Sequence, residues 1–425
     1  MNLREFVKLL EEKGLLLRVK RPVDIKYEIP TLIRMINDKP IIFENVKNFP
    51  NPVVANICST RDLVSLGLGI NPNEIIAKLA SAIENPREPK LGKTDGFQEI
   101  PAELFKLPIL IHYPFDGGPY ISSAVVVARD PELGLNVSFH RAMVIGKDKV
   151  VMRILPRDFN AFLKRGNREF AICISNSIQV LLASAVSVGL GTSELSIANA
   201  LSKTDLIELA GHKVPDAEIV LIAEMTGEEH EEGPFLDLTE TPDVVRKQLV
   251  AKIKRIFVKE NAIYHALLPG GLEHKTLMGT PREPTIFREV SKVCECTDVS
   301  ITPGGASWLH AIVSINKNGS DDGKKAIDAA FKGHKSLKHV WIVDDDIDIH
   351  NPHEVEWAMA TRFQGDKNMV IKRESGSSLD PSSELETRMT TKIGFDMTIP
   401  SDRDMKHFKK PEPSMKLKIK DYLII

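Results

Sequence analysis

Leu3, Phe6, Leu9 and Leu10 recur at helical spacing and the run stops at Gly14, which predicts a short amphipathic helix at the start of the chain. The apolar runs Pro40 to Phe43 and Pro52 to Ile57 read as strands and Asn71 to Glu84 as a helix, so the first segment is α/β. Pro, Gly and Lys accumulate between Asn85 and Pro108 and place a domain boundary near residue 100. Beyond it the hydrophobic period shortens. The β-branched runs Ser122 to Ala128, Leu135 to Phe139 and Lys149 to Ile154 are separated by turn-like Pro131-Glu132-Leu133-Gly134 and Gly146-Lys147-Asp148, which predicts a meander of antiparallel strands. Ala217 to Ile222 and Ala262 to Leu268 are expected to extend this β-rich part toward residue 295. Then Trp308 to Ile315, Lys324 to Lys332 and His339 to Val343 alternate strand, helix, strand as in a βαβ unit. The expected fold is mixed α/β and β, in units spanning 1–100, 101–297 and 298–425, without internal repeats.

Composition narrows the function classes. A chain of 425 residues, 42% hydrophobic, is long enough to bury the cores of two or three domains. Its 56 Lys and Arg against 58 Asp and Glu leave no positive field to hold a nucleic-acid backbone, so no nucleic-acid partner is expected. Cys58, Cys173, Cys294 and Cys296 are too few and too unevenly placed for a disulfide framework and point to a reducing compartment. Cys294 and Cys296, with no second Cys or His pair nearby, read as buried residues rather than a zinc site. Arg4, Glu5 and Lys8 interrupt the first apolar positions, unlike a secretion signal. The most apolar stretch, Ile178 to Leu190, is broken by Ser184 and Ser187 and is too short to cross a bilayer, so a cytoplasmic protein with no membrane partner is expected.

Few segments carry chemistry. Gly319-Ser320-Asp321-Asp322-Gly323-Lys324-Lys325 imitates a phosphate-binding loop but spaces its glycines wrongly and puts Lys325 where a Ser or Thr should hold magnesium. Asp344-Asp345-Asp346 precedes an ordinary helix start at Asn351, Pro352 and Glu354 and reads as a structural turn. Asn136-Val137-Ser138-Phe139-His140-Arg141 is different, because a strand seldom buries Asn, His and Arg together unless they bind something. Glu194 follows the small-residue stretch Ser184 to Gly191, where backbone can approach a bulky cofactor. Glu232-Gly233-Pro234-Phe235-Leu236-Asp237 sets two carboxylates around a Gly-Pro turn with apolar residues between them.

These segments together resemble the UbiD-like decarboxylases that use prenylated FMN, and the resemblance covers most of the chain. Asn136 and Arg141, Glu194, and Glu232 to Asp237 are similar to family signatures in family order. Gly304-Gly305, the Asp344-Asp345-Asp346 turn with Trp357-Ala358-Met359-Ala360-Thr361-Arg362, and Lys392-Ile393-Gly394-Phe395-Asp396 continue the series. The resemblance implies an N-terminal α/β domain, a central split β-barrel that binds the flavin, and a C-terminal α/β domain that oligomerises. It implies that Arg141, Glu232 and Asp237 are catalytic and that Asn136, Ser138, Arg141, Ser187 and Lys392 contact the cofactor. Asn136 and Glu194 would hold a divalent metal, manganese by family pattern, with potassium nearby. Family members add a metal-binding His, but this chain reads Leu155-Pro156-Arg157-Asp158 there, and Asp158 is the expected substitute.

Strict alternation puts Asn136, Ser138 and His140 on one strand face and Arg141 on the other, so a shared site requires the strand to bulge or end near Phe139. The implied reaction is non-oxidative decarboxylation of an α,β-unsaturated acid, in which the cofactor supplies the electron sink. Arg141 would grip the substrate carboxylate in bidentate fashion and Asp237 would donate the proton. Ser-Phe-His-Arg and Pro269-Gly270-Gly271-Leu272-Glu273-His274-Lys275 resemble the archaeal branch, which implies trans-anhydromevalonate 5-phosphate as substrate and isopentenyl phosphate as product. His274 and Lys275 are candidates for the substrate phosphate, or for a solvated turn. An aromatic acid such as 3-polyprenyl-4-hydroxybenzoate is the alternative substrate, and a non-catalytic flavin or metal carrier the alternative of another class. A flavin prenyltransferase is the implied cofactor supplier. The apolar tip Tyr422-Leu423-Ile424-Ile425 is expected to pack on a neighbouring subunit or the third domain, in at least a homodimer.

Overall fold

Asn2 closes a reciprocal cap on the first helix, Leu3–Glu12: its side chain accepts from the Glu5 N–H while the Glu5 carboxylate accepts from the Asn2 N–H. The helix buries Leu3, Phe6 and Leu10 as expected, with Val7 rather than Leu9 completing the buried face and Leu9 only partly covered. The computed structural model describes residues 1–189, 191–408, 410–411, 414–415 and 422, so Leu423, Ile424 and Ile425 of the apolar tip lie outside the described residues. No helix among the described residues is long and apolar enough to cross a membrane.

Four short strands form the N-terminal sheet in the order Leu17–Val19, Ile41–Phe43, Val53–Ala55, Tyr264–His265. The last corrects an expectation. The run Ala262 to Leu268 does not extend the central sheet, because Tyr264 and His265 pair in parallel with Val53 and Val54. Buried Glu273 favours this arrangement, accepting from the Asn56 and Cys58 backbone N–H groups and facing His265 Nε2 at 3.1 Å.

The central sheet has nine antiparallel strands, led by the 14-residue pair Ile219–Glu232 and Arg246–Lys259. Alternation along its strands divides two cores. Val125, Val127, Val137, Ala171, Cys173 and Val220 pack into one, whereas Val126, Ala128, Phe170, Ile172, Ile219 and Leu221 pack into the other. Burial on both faces explains why these runs are continuously apolar. Val125–Asp130 returns as Gly134–Phe139 through a turn in which Asp130 accepts from the Glu132 and Leu133 N–H groups and Gly134 takes φ +89°.

The third sheet runs Glu295–Ile301, His310–Asn316, His339–Asp344, Met389–Asp396, Met369–Ser375. Its middle three strands are parallel, with the helix Asp322–Gly333 as the expected crossover. Glu295–Ile301 straddles the expected 297/298 boundary, so the third unit begins earlier. Ile286 and Val290 of the preceding helix Glu283–Ser291 pack into its core too. The phosphate-loop imitation is a helix start in which Asp322 accepts from the Asn318 and Gly319 N–H groups. Asp344 and Asp346 clamp Arg362, which is 1% exposed.

Lys392, Gly394 and Asp396 share one face of their strand and meet Phe331, Ile327 and Gly323 of the crossover helix. A Cβ on Gly394 would lie 2.2 Å from Ile327 Cγ2. Gly394→Ala should therefore destabilise the protein by about 1–3 kcal/mol, seen as a lower denaturant midpoint, with partial recovery in Gly394→Ala/Ile327→Ala. An unchanged midpoint in the single variant would show that the helix moves away freely.

Candidate active site

The strand Gly134–Phe139 ends where a shared site requires. After Phe139 the chain leaves that pairing, and Ala142–Val144 joins Tyr120–Ile121 and Lys149–Met152 instead. The break brings Asn136, Ser138, His140 and Arg141 to one cavity of about 520 Å³. Glu194, Asp158, Ser187 and Asp237 line it as well.

Arg141 lies at the centre of a carboxylate cage. Its Nε and Nη2 donate to the two oxygens of Glu232, each at 2.9 Å; Nη1 donates to Asp237 at 3.2 Å and Nη2 to Asp243 at 2.8 Å. Phe235 carries the guanidinium 4.8 Å from its ring centre. Burial disfavours the charged guanidinium, but the bonds to Glu232 and the fields of Asp237 and Asp243 outweigh it and raise its pKa. Glu232 is 0% exposed and also accepts from the Tyr120 hydroxyl at 3.0 Å. Burial, followed by the charge of Glu232, pushes the Tyr120 pKa up, so this phenol remains a donor. Asp243 resists burial through Arg246 and Arg141, and its pKa falls to about 2. Four of the five guanidinium N–H groups are thus taken and one remains on Nη1. The expected bidentate grip on a substrate carboxylate does not fit this arrangement unless Asp237 moves.

Asn136 and Glu194 face each other, with Asn136 Nδ2 3.5 Å from Glu194 Oε1 and the Val137 N–H donating to Oε2 at 2.8 Å. Glu194 opens the helix Glu194–Leu201, capped by Ser193, and Asp158 opens the helix Asp158–Lys164. Burial raises the Glu194 pKa to about 7 despite these bonds, and Asp158 adds to the rise. His140 Nδ1 lies 3.0 Å from the Arg153 carbonyl, and burial lowers its pKa to about 4. In that neutral tautomer Nε2 accepts from Ser138 Oγ at 3.0 Å. The single Ser138 proton then serves His140, and Asn136 Oδ1, 3.2 Å away, stays free to coordinate. Two carboxylates and a free amide oxygen suit a hard divalent cation. Among the described residues no group of three or more His, Cys, Asp or Glu is placed to hold a metal ion, so a cation here would rest on two carboxylates and an amide.

Lys392 is not at this cavity. It is 2% exposed on the third sheet, where its Nζ donates to the Lys335 carbonyl at 2.7 Å, because its strand face is committed to the crossover helix. His274 and Lys275, adjacent on the helix Leu272–Gly279, point apart. His274 lines the cavity, whereas Lys275 pairs with Glu240 and lines a second cavity. Tyr120, Asp243 and the cavity-lining Arg153, Arg157 and Arg282 were not singled out from sequence. The usable signal was His274, Met278 and Arg282 at four-residue spacing.

The Glu194 shift has a testable sign. A carboxyl whose folded pKa is raised contributes stability below its unfolded pKa and loses it as pH rises through about 7. Metal-free protein should lose on the order of 3 kcal/mol between pH 4.5 and 8 through this group. Unfolding measured across that range should show a flatter profile in Glu194→Gln, and manganese should restore stability at pH 8 in the wild type alone. Identical pH profiles would refute the burial argument.

Models of the 3-octaprenyl-4-hydroxybenzoate carboxy-lyase N-terminal, Rift-related and C-terminal domains match residues 7–83, 90–272 and 275–397. The chain is 40% identical to the anhydromevalonate phosphate decarboxylase of Methanothermobacter thermautotrophicus, over 94% of this chain and 97% of that protein. It is 41% identical to the enzyme of the same name from Methanocaldococcus jannaschii, over 91% and 95%. Among solved structures it is similar to the UbiD-class enzyme HmfF from Pelotomaculum thermopropionicum in complex with FMN, with a TM-score of 0.95 and 35% identity over 99% of this chain and 100% of that one. An evolved dimeric form of HmfF in complex with prenylated FMN gives a TM-score of 0.90 at 34% identity, again over 99% and 100%. With all three domain models matched in order, and relatives above 30% identity along nearly its full length, the chain belongs to the UbiD family of carboxy-lyases.

Proposed function

We propose that this protein is a prenylated-FMN-dependent carboxy-lyase that converts trans-anhydromevalonate 5-phosphate to isopentenyl phosphate and carbon dioxide. The observation that carries this reading is the caged Arg141 facing a cavity that also holds a hard-oxygen donor set. The names of the two archaeal relatives support the substrate, and the HmfF complexes support the cofactor. When bound, the prenylated flavin supplies an electron sink for the charge that loss of carbon dioxide would leave on an alkene carbon.

The remaining work falls to side chains of this chain. Asn136, Glu194 and Asp158 would hold a divalent cation, manganese with potassium nearby, against the cofactor phosphate, and Ser138 and Ser187 would contact the cofactor. The free Nη1 N–H of Arg141 would orient the substrate carboxylate. Glu232, Asp243 and Tyr120 hold that guanidinium in place. Asp237 lines the cavity as an acceptor of one Arg141 N–H and of the Leu238 backbone N–H, and after taking up a proton it would deliver that proton to the substrate carbon. Phe235, Leu267, Leu277 and Met278 supply the apolar wall that excludes water. A flavin prenyltransferase would supply the cofactor, and a homodimer or larger assembly is consistent with the dimeric HmfF form.

Reconstituted protein tests the assignment. Asp237→Asn should keep flavin and substrate affinity but lose about a hundred- to ten-thousand-fold in single-turnover carbon dioxide release. Arg141→Ala should also lose substrate affinity, and Asn136→Ala should lose metal and flavin together while remaining folded. Near-normal turnover in Asp237→Asn would move the donor role to Glu232, and no turnover of the phosphorylated acid by wild type would sink the substrate assignment.

A further inference from the structure

The cavity wall carries a half-buried cation that no acid answers. Arg282 lines it, and among the described residues its Nε–H has no hydrogen-bond partner and no carboxylate lies within ion-pair range. Burial, then the field of Arg157 on the same cavity wall, lowers its pKa to about 10, still charged at neutral pH. The guanidinium lies 5.4 Å from the ring centre of Trp308, whose own N–H is tied to Ser377 Oγ at 3.2 Å and whose ring meets His334 edge-on. The next residue, Glu283, is buried and anchored by Arg61 and by the Ile301 backbone N–H. Arg282 is therefore held in position by its surroundings while its charge is left unmatched. Its Nε–H is shut off from solvent without a partner, and an unmatched donor on a half-buried cation is costly, which points to an anion that arrives with a ligand.

The helical stripe gives that anion a location. His274, Met278 and Arg282 follow one another at four-residue spacing along Leu272–Gly279 and its continuation Thr280–Arg282, and all three line the cavity. Their Cα atoms span about 12 Å at 1.5 Å per residue. His274 lies at the Arg141 and Asp237 end, where their charges act on it. Its Nδ1 accepts from the Gly270 N–H at 3.1 Å, and burial lowers its pKa to about 4, so it is neutral with Nε2 protonated. The wall thus reads, in order, neutral donor beside the carboxylate cage, apolar Met278, and uncommitted guanidinium. This sequence matches a ligand with a carboxylate at one end, a short apolar middle and a second anion at the other.

We propose that Arg282, with Arg157 beside it, recognises a phosphate monoester that the substrate carries away from its reacting carboxylate, and so selects phosphorylated over unphosphorylated unsaturated acids. The assignment rests on the decarboxylase reading. A planar fork of N–H donors suits phosphate oxygens in pairs, which a lysine cannot reproduce.

Flavin-loaded wild type and Arg282→Gln are compared on the phosphorylated acid and on its dephosphorylated form. The expected result is a KM about 10- to 100-fold higher for the phosphorylated acid in Arg282→Gln, unchanged kinetics for the dephosphorylated form, and unchanged flavin occupancy. Loss of flavin would instead assign Arg282 to the cofactor phosphate, and equal loss on both acids would assign it a structural role; either overturns the proposal. Calorimetric titration of flavin-loaded protein with inorganic phosphate gives a readout independent of turnover. Wild type should bind phosphate and Arg282→Gln should not; equal binding, or none in wild type, overturns the proposal even where the substrate assignment has failed. Should Arg282→Gln not fold, Arg282→Lys carries the comparison, and selectivity equal to wild type overturns it.

Discussion

A guanidinium taken out of water must be matched by charge and hydrogen bonds, and the central domain is arranged so that Arg141 is. Its partners come from three separate stretches. Glu232 ends the long strand Ile219–Glu232, Asp237 follows the next turn, and Asp243 sits in the two-residue strand Pro242–Asp243 that pairs with Phe235–Leu236. Removing one carboxylate would leave the others, but removing Arg141 would leave three acids facing one another with Arg246 as the nearby counterion. The loop between the two longest strands is thus folded around a single cation.

That requirement also explains why the strand Gly134–Phe139 stops where it does. Continued alternation would turn Arg141 away from Asn136, whereas the switch of partner at Ala142–Val144 presents both to one cavity. The polar positions on this wall are matched internally: Ser138 to His140, His140 to the Arg153 carbonyl, and the Val137 N–H to Glu194. Each bond fixes a side chain that would otherwise face the cavity in several rotamers.

Much of this was legible in the sequence. The first helix, the meander and the βαβ unit followed from period alone, and of the residues in the ordered motifs Asn136, Arg141, Glu194 and Asp237 line one cavity, with Glu232 buried behind Arg141. The misses have physical causes. Tyr264–His265 is a strand as expected, but periodicity does not reveal which sheet a strand joins, and Glu273 draws it to the first. Lys392 sits in a family-like segment, yet its burial is decided by packing against Phe331, which no local pattern encodes. Asp243 and Tyr120 act through Arg141 and Glu232 from distant positions and have no spacing that marks them.

The helix from Leu272 onward ties these parts together. Glu273 anchors it to the N-terminal strands through Asn56, Cys58 and His265, and Glu283, beyond the turn Thr280–Arg282, anchors it to Arg61 and to the first strand of the third sheet. Each anchor stands beside a cavity residue, Glu273 beside His274 and Glu283 beside Arg282. Neighbouring positions along this stretch therefore divide the work: the buried carboxylates set its position against two domains, and that position sets where His274 and Arg282 meet the cavity. A shift of either neighbouring domain would be carried by these glutamates into the cavity wall, so the spacing between the carboxylate cage and Arg282 is a property of the three-domain packing rather than of the central sheet alone.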